Sequence, residues 1–292
     1  MNDPFLETSS ALRCLSIEEI TSLICNCLDT HPSALRALGL TCQLLFDPAI
    51  DVLWRELRSL NHIVPTFPGE KVGESHDDED TVLEIRHFRS PIILYRVSTL
   101  TQTMRVEDAD AHWRRPMYYG AKVRELSLGV CAEESAMIRE INQFLPLNRL
   151  FPRLQKLVCS LSGDVMISCA RLLFELNVTE LELYGDYSYE EMTSVFSWIR
   201  VQCPNLRHLF LYGVWQRDEP EDIGPAEPAD QEVNRLVADL KGLASFSIDM
   251  TQLPGWSTTI IVSLGSLAHL TSLNLATPVS YTHLTLPTIL RV

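Results

Sequence analysis

From Val123 onward one arrangement of apolar and polar positions keeps returning. It is an apolar residue, two polar or mixed residues, an apolar residue, one spacer and another apolar residue. It reads Val123-Arg-Glu-Leu126-Ser-Leu128, Leu154-Gln-Lys-Leu157-Val-Cys159, Val178-Thr-Glu-Leu181-Glu-Leu183, Leu206-Arg-His-Leu209-Phe-Leu211, Leu243-Ala-Ser-Phe246-Ser-Ile248 and Leu270-Thr-Ser-Leu273-Asn-Leu275. The starts at 123, 154, 178, 206, 243 and 270 are 31, 24, 28, 37 and 27 residues apart. Within each string, period two puts pairs such as Leu126 and Leu128 on one side of a short strand. Between strings the spacing turns helical, over 133–145, 164–176, 189–201 and 231–240; Met137, Ile138, Ile141 and Leu145 show it well. Strand-then-helix units in series predict parallel strands with helices outside, a curved α/β solenoid. Pro152 and Pro204 fall just before strands, where they disturb no ladder. The longest period holds the acidic, Pro-rich stretch from Gln216 to Asp230, which reads as a loop.

The first 60 residues carry a different pattern. Ser16-Ile-Glu-Glu19 has the form of a capping box, followed at helical spacing by Ile17, Ile20, Leu23, Ile24, Cys27 and Leu28. Asp29-Thr-His-Pro32 breaks that helix, and Pro32 suits the first turn of the next, lined by Leu35, Leu38, Cys42, Leu45 and Phe46. Asp47 as cap and Pro48 at the first helical position start a third, with Ile50, Leu53, Trp54 and Leu57 as its stripe. Three short helices in about 45 residues cannot bury all these faces against one another. Apolar surface that includes Leu15, Ile20 and Trp54 is left for a partner.

Two resemblances follow. The strings from Val123 resemble the L-x-x-L-x-L core of leucine-rich repeats, in long and irregular form. Leu15-Ser-Ile-Glu-Glu-Ile20, Leu23-Ile24, Leu28, Leu40-Thr-Cys-Gln-Leu44 and Phe46-Asp-Pro-Ala-Ile-Asp-Val-Leu-Trp-Arg-Glu-Leu57 resemble an F-box, and more narrowly the F-box-like proteins of mushroom-forming fungi. The stretch from Glu107 to Leu128 is similar to the linker before the repeats in those proteins. The resemblance implies docking on the small adaptor subunit of a cullin–RING ubiquitin ligase, with Leu15, Ile20, Ile24, Leu28, Leu44 and Trp54 facing it. Ser16 stands where many F-boxes have proline, so the fixed entry angle of proline is lost while the cap is kept.

The expected organisation is a helical F-box-like module over 11–60, a connector over 61–120, the repeat array over 121–278 and a foreign tail over 279–292. In the connector, 61–80 reads as a solvated loop with the acidic run His76-Asp-Asp-Glu-Asp80. Ile92-Ile-Leu-Tyr95, His112-Trp-Arg-Arg115 and Tyr118-Tyr119 read as packed connector rather than a base-stacking patch. Val279-Ser-Tyr-Thr-His-Leu-Thr-Leu-Pro-Thr288 back-translates to a string resembling a transposase-type sequencing adaptor, so the natural chain is expected to be interrupted within its last repeat.

Composition narrows the function classes. With 24 Lys plus Arg against 38 Asp plus Glu the net charge is −14, which excludes a large phosphate-neutralising footprint, so nucleic acid is not expected as a partner. Anionic membrane surfaces are disfavoured for the same reason. No apolar run approaches the roughly 20 residues of a spanning helix, and the acidic N-terminus lacks signal-peptide order. The 8 scattered cysteines then read as reduced thiols, with the protein in cytoplasm or nucleus and the sequon at Asn177 unused.

Catalytic motifs are missing: no GxSxG, GxxxxGK[ST], HExxH or GxGxxG occurs. Cys25 and Cys27 are too close for a zinc pair with no matching partner, so neither metal nor cofactor is expected. The chain reads as a non-enzymatic substrate receptor, tethered by its helices and holding a protein on the array. Specificity falls to exposed strand positions, Arg124, Glu125, Glu180, Glu182, Arg207, His208 and Phe210, because the apolar positions belong to the core. A repeat scaffold with no ligase role is the alternative; a hydrolase whose residues meet only in space is a third class.

Overall fold

An apolar pair at i and i+2 can leave water only if a second layer covers that side of the strand, and this requirement organises the chain. The structure is a computed structural model describing residues 14–67, 109–129, 132–160, 169, 171–174, 178–216, 227–250 and 258–276. Its strands are β1 (Glu56–Leu57), β2 (Glu125–Leu128), β3 (Lys156–Ser160), β4 (Glu180–Ser188), β5 (His208–Gln216), β6 (Ser245–Met250) and β7 (Ser272–Ala276). They form one parallel sheet whose spatial order is the chain order. Helices return the chain between strands, as α/β architecture requires: α4 (Ala109–Gly120), α5 (Ala132–Phe144), α6 (Leu147–Leu150), α7 (Tyr189–Gln202), α8 (Glu227–Asp239) and α9 (Thr258–Gly265).

The register is constant from unit to unit. Leu57, Leu126, Leu157, Leu181, Leu209, Phe246 and Leu273 form one row across the sheet, and Leu128, Cys159, Leu183, Leu211, Ile248 and Leu275 the next inward row. The first row is buried up to Leu273, which is half-buried at the β7 edge. A repeated backbone bond fixes this step. The Arg55 carbonyl accepts the amides of both Arg124 and Glu125, and the same double acceptance recurs at Arg124, Gln155, Thr179, Arg207 and Ala244. Neighbouring return helices are tied as well, Arg200 on α7 reaching Asp239 on α8 at 2.6 Å.

The ladder therefore starts earlier than the sequence strings do. Trp54-Arg-Glu-Leu57 is a degenerate first copy, with Leu57 paired to Leu126. Leu60, Ile63, Thr66 and Phe67 are buried. The start of the stretch expected as solvated loop thus buries Ile63, Thr66 and Phe67, with Phe67 edge-on to Trp113 of α4 at a centroid distance of 5.3 Å. The acidic run at 76–80, residues 92–95 and the tail 279–292 lie outside the described residues. Of the expected loop 216–230, Gln216 closes β5 and the last four residues open α8.

Ahead of the sheet stand α1 (Glu18–Asn26), α2 (Pro32–Thr41) and α3 (Gln43–Leu53), with a small core of their own built on Cys25, Leu35 and Ala49. A Cβ on Gly39 would lie 3.2 Å from Ala49 Cβ, so α2 and α3 approach closely where both residues are small. Pro32 opens α2 as expected. Two expected starts are corrected. Helix α1 begins at Glu18, one residue later than expected, with extended Ile17 at its cap position in place of Ser16. Helix α3 begins at Gln43, leaving Pro48 inside it rather than at its first position. Asp47, expected as its cap, instead accepts the Tyr118 hydroxyl.

Candidate functional site

Helix α1 does not centre its apolar stripe on the side it buries. Its buried residues are the small Thr21 and Cys25, one turn apart, and the Thr21 hydroxyl donates to the Glu18 carbonyl at 3.0 Å. Cys27, expected on the apolar face, is exposed, and Leu23 is 65% exposed. Ile17, Leu44 and Phe46 are exposed too, and Leu40 is 74% exposed at the end of α2. Of the six expected docking residues, Leu44 is exposed and Leu15, Ile20, Ile24, Leu28 and Trp54 are half-buried. Leu28 packs on the core of the module. The Trp54 ring turns toward the array, where it stacks on Tyr119 with centroids 4.5 Å apart at 29°. None of the six is fully enclosed. Ile17, Leu23, Leu40 and Phe46 are exposed beyond the expected six; Ile17, Leu23 and Phe46 were legible as helical hydrophobes, but which side α1 buries was not.

The array offers a second face. Where the inner rows are leucine, the outward rows carry the variable side chains. One row is Glu56, Glu125, Lys156, Glu180, His208, Ser245 and Ser272; the next is Ser127, Val158, Glu182, Phe210, Ser247 and Asn274. The sheet thereby brings five of the seven expected array residues, Glu125, Glu180, Glu182, His208 and Phe210, onto one surface, all half-buried. Arg124 and Arg207 stand exposed just ahead of their strands.

Lys156 organises the acidic end of this surface. Its ammonium lies 2.7 Å from Glu182, 2.9 Å from Glu180 and 3.7 Å from Glu125. Burial works against the charged ammonium, but the hydrogen bonds to Glu182 and Glu180 outweigh it, and the Lys156 pKa lies above the ordinary lysine range. Burial raises the Glu125 carboxyl, with Lys156 pulling the other way. Beside this cluster the rings of Tyr184 and Tyr212 stack, centroids 4.9 Å apart and 15° from parallel. The Tyr184 hydroxyl donates to Glu182 at 3.1 Å, and burial with that bond pushes its pKa up to about 12. Toward β7 the surface becomes neutral, with the Asn274 amide donating to the Ser247 hydroxyl at 3.2 Å. Lys156, Tyr184 and Tyr212 are not among the expected site residues. The signal was available as equivalent positions in successive strings, Glu125, Lys156, Glu180 for the charge and the residue after Leu183 and Leu211 for the rings.

The buried thiols are structural. Cys169 donates to the Ser135 carbonyl and Cys203 to that of Phe174, and burial pushes the Cys203 thiol up to about 12. No group of three or more His, Cys, Asp or Glu that could hold a metal occurs among the described residues. No helix among them is long and apolar enough to cross a membrane. No family model matches the chain, and no curated protein matches it.

Proposed function

We propose that the chain is the substrate-recognition subunit of a cullin–RING ubiquitin ligase. In this reading the three N-terminal helices are an F-box-like module that docks on the ligase adaptor. The sheet is a leucine-rich-repeat array that holds a protein substrate, and no catalysis takes place on the chain itself. The observation that carries the reading is the orientation of α1. A helix that buries Thr21 and Cys25 while leaving Ile20 and Ile24 half-covered and Leu23 exposed, in a module that also exposes Leu40 and Leu44, keeps apolar side chains for another surface. Covering each such leucine is worth about 1.5–3 kcal/mol, enough together for a stable interface.

The array surface supports a substrate class. Carboxylates of Glu125, Glu180 and Glu182 beside the stacked Tyr184 and Tyr212 suit an arginine- or lysine-bearing segment, held by charge and by its alkyl stem over the rings. Tethering such a segment near the ligase raises its effective concentration at the ubiquitin-transfer site.

The test mixes the full chain with purified adaptor subunit, alongside a Leu23→Glu/Leu40→Glu variant. Micromolar or tighter binding that the variant loses supports the receptor. Wild-type chain that stays unbound at micromolar adaptor would instead support a free interaction scaffold, which needs only the array face.

A further inference from the structure

The constant register places cations as well as leucines. Arg55 and Arg124 directly follow the first apolar residue of consecutive units, and the Arg124 amide donates to the Arg55 carbonyl at 2.9 Å. Lys122 and Arg153 directly precede the buried residues Val123 and Leu154 of the next pair of units. Neighbouring strands lie roughly 4.8 Å apart, so the fold stacks like charges on adjacent rungs. All four line a cleft of about 210 Å³ between the strand starts and helices α1 and α3, with Glu18 and Asp51 on the helical wall.

The charges in this cleft do not balance. Asp51 is 2.5 Å from Lys122 and neutralises it. Arg55 donates to the neutral Asn26 amide oxygen at 2.7 Å. Among the described residues, Arg55, Arg124 and Arg153 have no carboxylate at ion-pair distance. Four cations against the carboxylates of Glu18 and Asp51 leave this small cleft net positive, in a chain of net charge −14, and its guanidiniums repel one another until an anion enters. The planar guanidinium fork matches the oxygens of a phosphoryl group better than a monovalent halide, and the cleft volume admits one such group.

We propose that this cleft binds a phosphoryl dianion, as free phosphate or on a phosphorylated side chain. The site does not depend on the receptor reading, since it uses neither the exposed leucines nor the aromatic face. Titration calorimetry on the full chain at constant ionic strength tests it, with inorganic phosphate, a glycine-flanked phosphoserine peptide and its unphosphorylated form as probes. One or both phosphorylated probes bind with a Kd of about 1 mM or tighter, and Arg124→Ala/Arg153→Ala weakens them at least about tenfold. A phosphopeptide that far outbinds phosphate identifies a phosphoprotein as the source; equal affinity identifies the free anion. If the double variant does not fold, Arg153→Gln alone, at an exposed position, still weakens binding. Glu18→Gln, which removes a negative wall charge, strengthens it. Absence of binding by both phosphorylated probes at about 10 mM, or binding that the arginine variants leave unchanged, overturns the proposal.

Discussion

The buried carboxylate of Glu134 accepts the Ser59 hydroxyl at 2.5 Å across 75 residues of chain. The same oxygen takes the Leu60 amide at 3.3 Å, and the other oxygen takes the Gly129 amide at 2.9 Å. Glu134 sits in the first turn of α5, whose positive end favours it there. One side chain thereby pins the segment after β1 to the turn after β2, and so joins the degenerate first unit to the regular ones. Glu134→Ala should destabilise the chain by about 2–4 kcal/mol in urea unfolding, because three donors lose a charged acceptor. Glu134→Gln should cost less, since one carbonyl oxygen remains. A change within about 0.5 kcal/mol for the alanine variant would show that the contact holds nothing together.

Lys156 is the countercharge for three carboxylates, so Lys156→Met leaves Glu125, Glu180 and Glu182 repelling one another. A loss of about 1–3 kcal/mol is expected at neutral pH, shrinking as the carboxylates protonate in acid. The wild type has its own pH signature. The folded Lys156 pKa lies above the ordinary 10.5, so its contribution is complete below that value and declines as pH rises through the folded value. Alkaline unfolding followed by circular dichroism should show this decline in the wild type and not in the variant.

Gly185 and Gly213 are paired across β4 and β5 at φ 156° and 152°, a region other residues avoid. A Cβ on Gly213 would sit 1.6 Å from the Gly185 carbonyl oxygen. Gly213→Ala must therefore push the strands apart, with an expected loss of about 3 kcal/mol or more. Gly265→Ala, at a helix end with nothing within 4 Å of the new Cβ, is the control and should be neutral or slightly stabilising. Equal thermal midpoints for the two variants would remove the steric argument.

The Trp54–Tyr119 stack links the end of α3 to α4 on the array core. A double-mutant cycle with Trp54→Leu and Tyr119→Leu should give a coupling of about 0.5–1.5 kcal/mol. Additive effects would mean that the two rings contribute only by separate burial.

The repeat period was legible because each strand buries one side. Val123, Leu126 and Leu128, and their counterparts through Leu275, had to recur at fixed offsets whatever the helices between them did. The first unit was missed because Ser59 stands at its third apolar place and Trp54, rather than an aliphatic residue, at its first. Its membership is decided by backbone bonds to Arg124 and Glu125, which leave no composition signal. Capping shows the same limit. Ser16-Ile-Glu-Glu19 and Ser188-Tyr-Glu-Glu191 are equally good boxes as strings, yet only the second has its serine at the helix cap position. There Ser188 ends β4 in extended conformation and exchanges bonds of 3.3 and 2.7 Å with Glu191.

By itself, the sequence determined a helical start, a strand-and-helix series and the identity of the inward residues, because periodicity reports which side of an element leaves water. Which side of α1 faces its neighbours was decided by close packing of α2 and α3, where Leu35 and Ala49 leave a space that the small Cys25 fills. The grouping of Glu125, Lys156 and Glu180, and of the arginines around the cleft, was likewise set by register. Residues far apart along the chain become neighbours only when the backbone ladder places them on adjacent rungs.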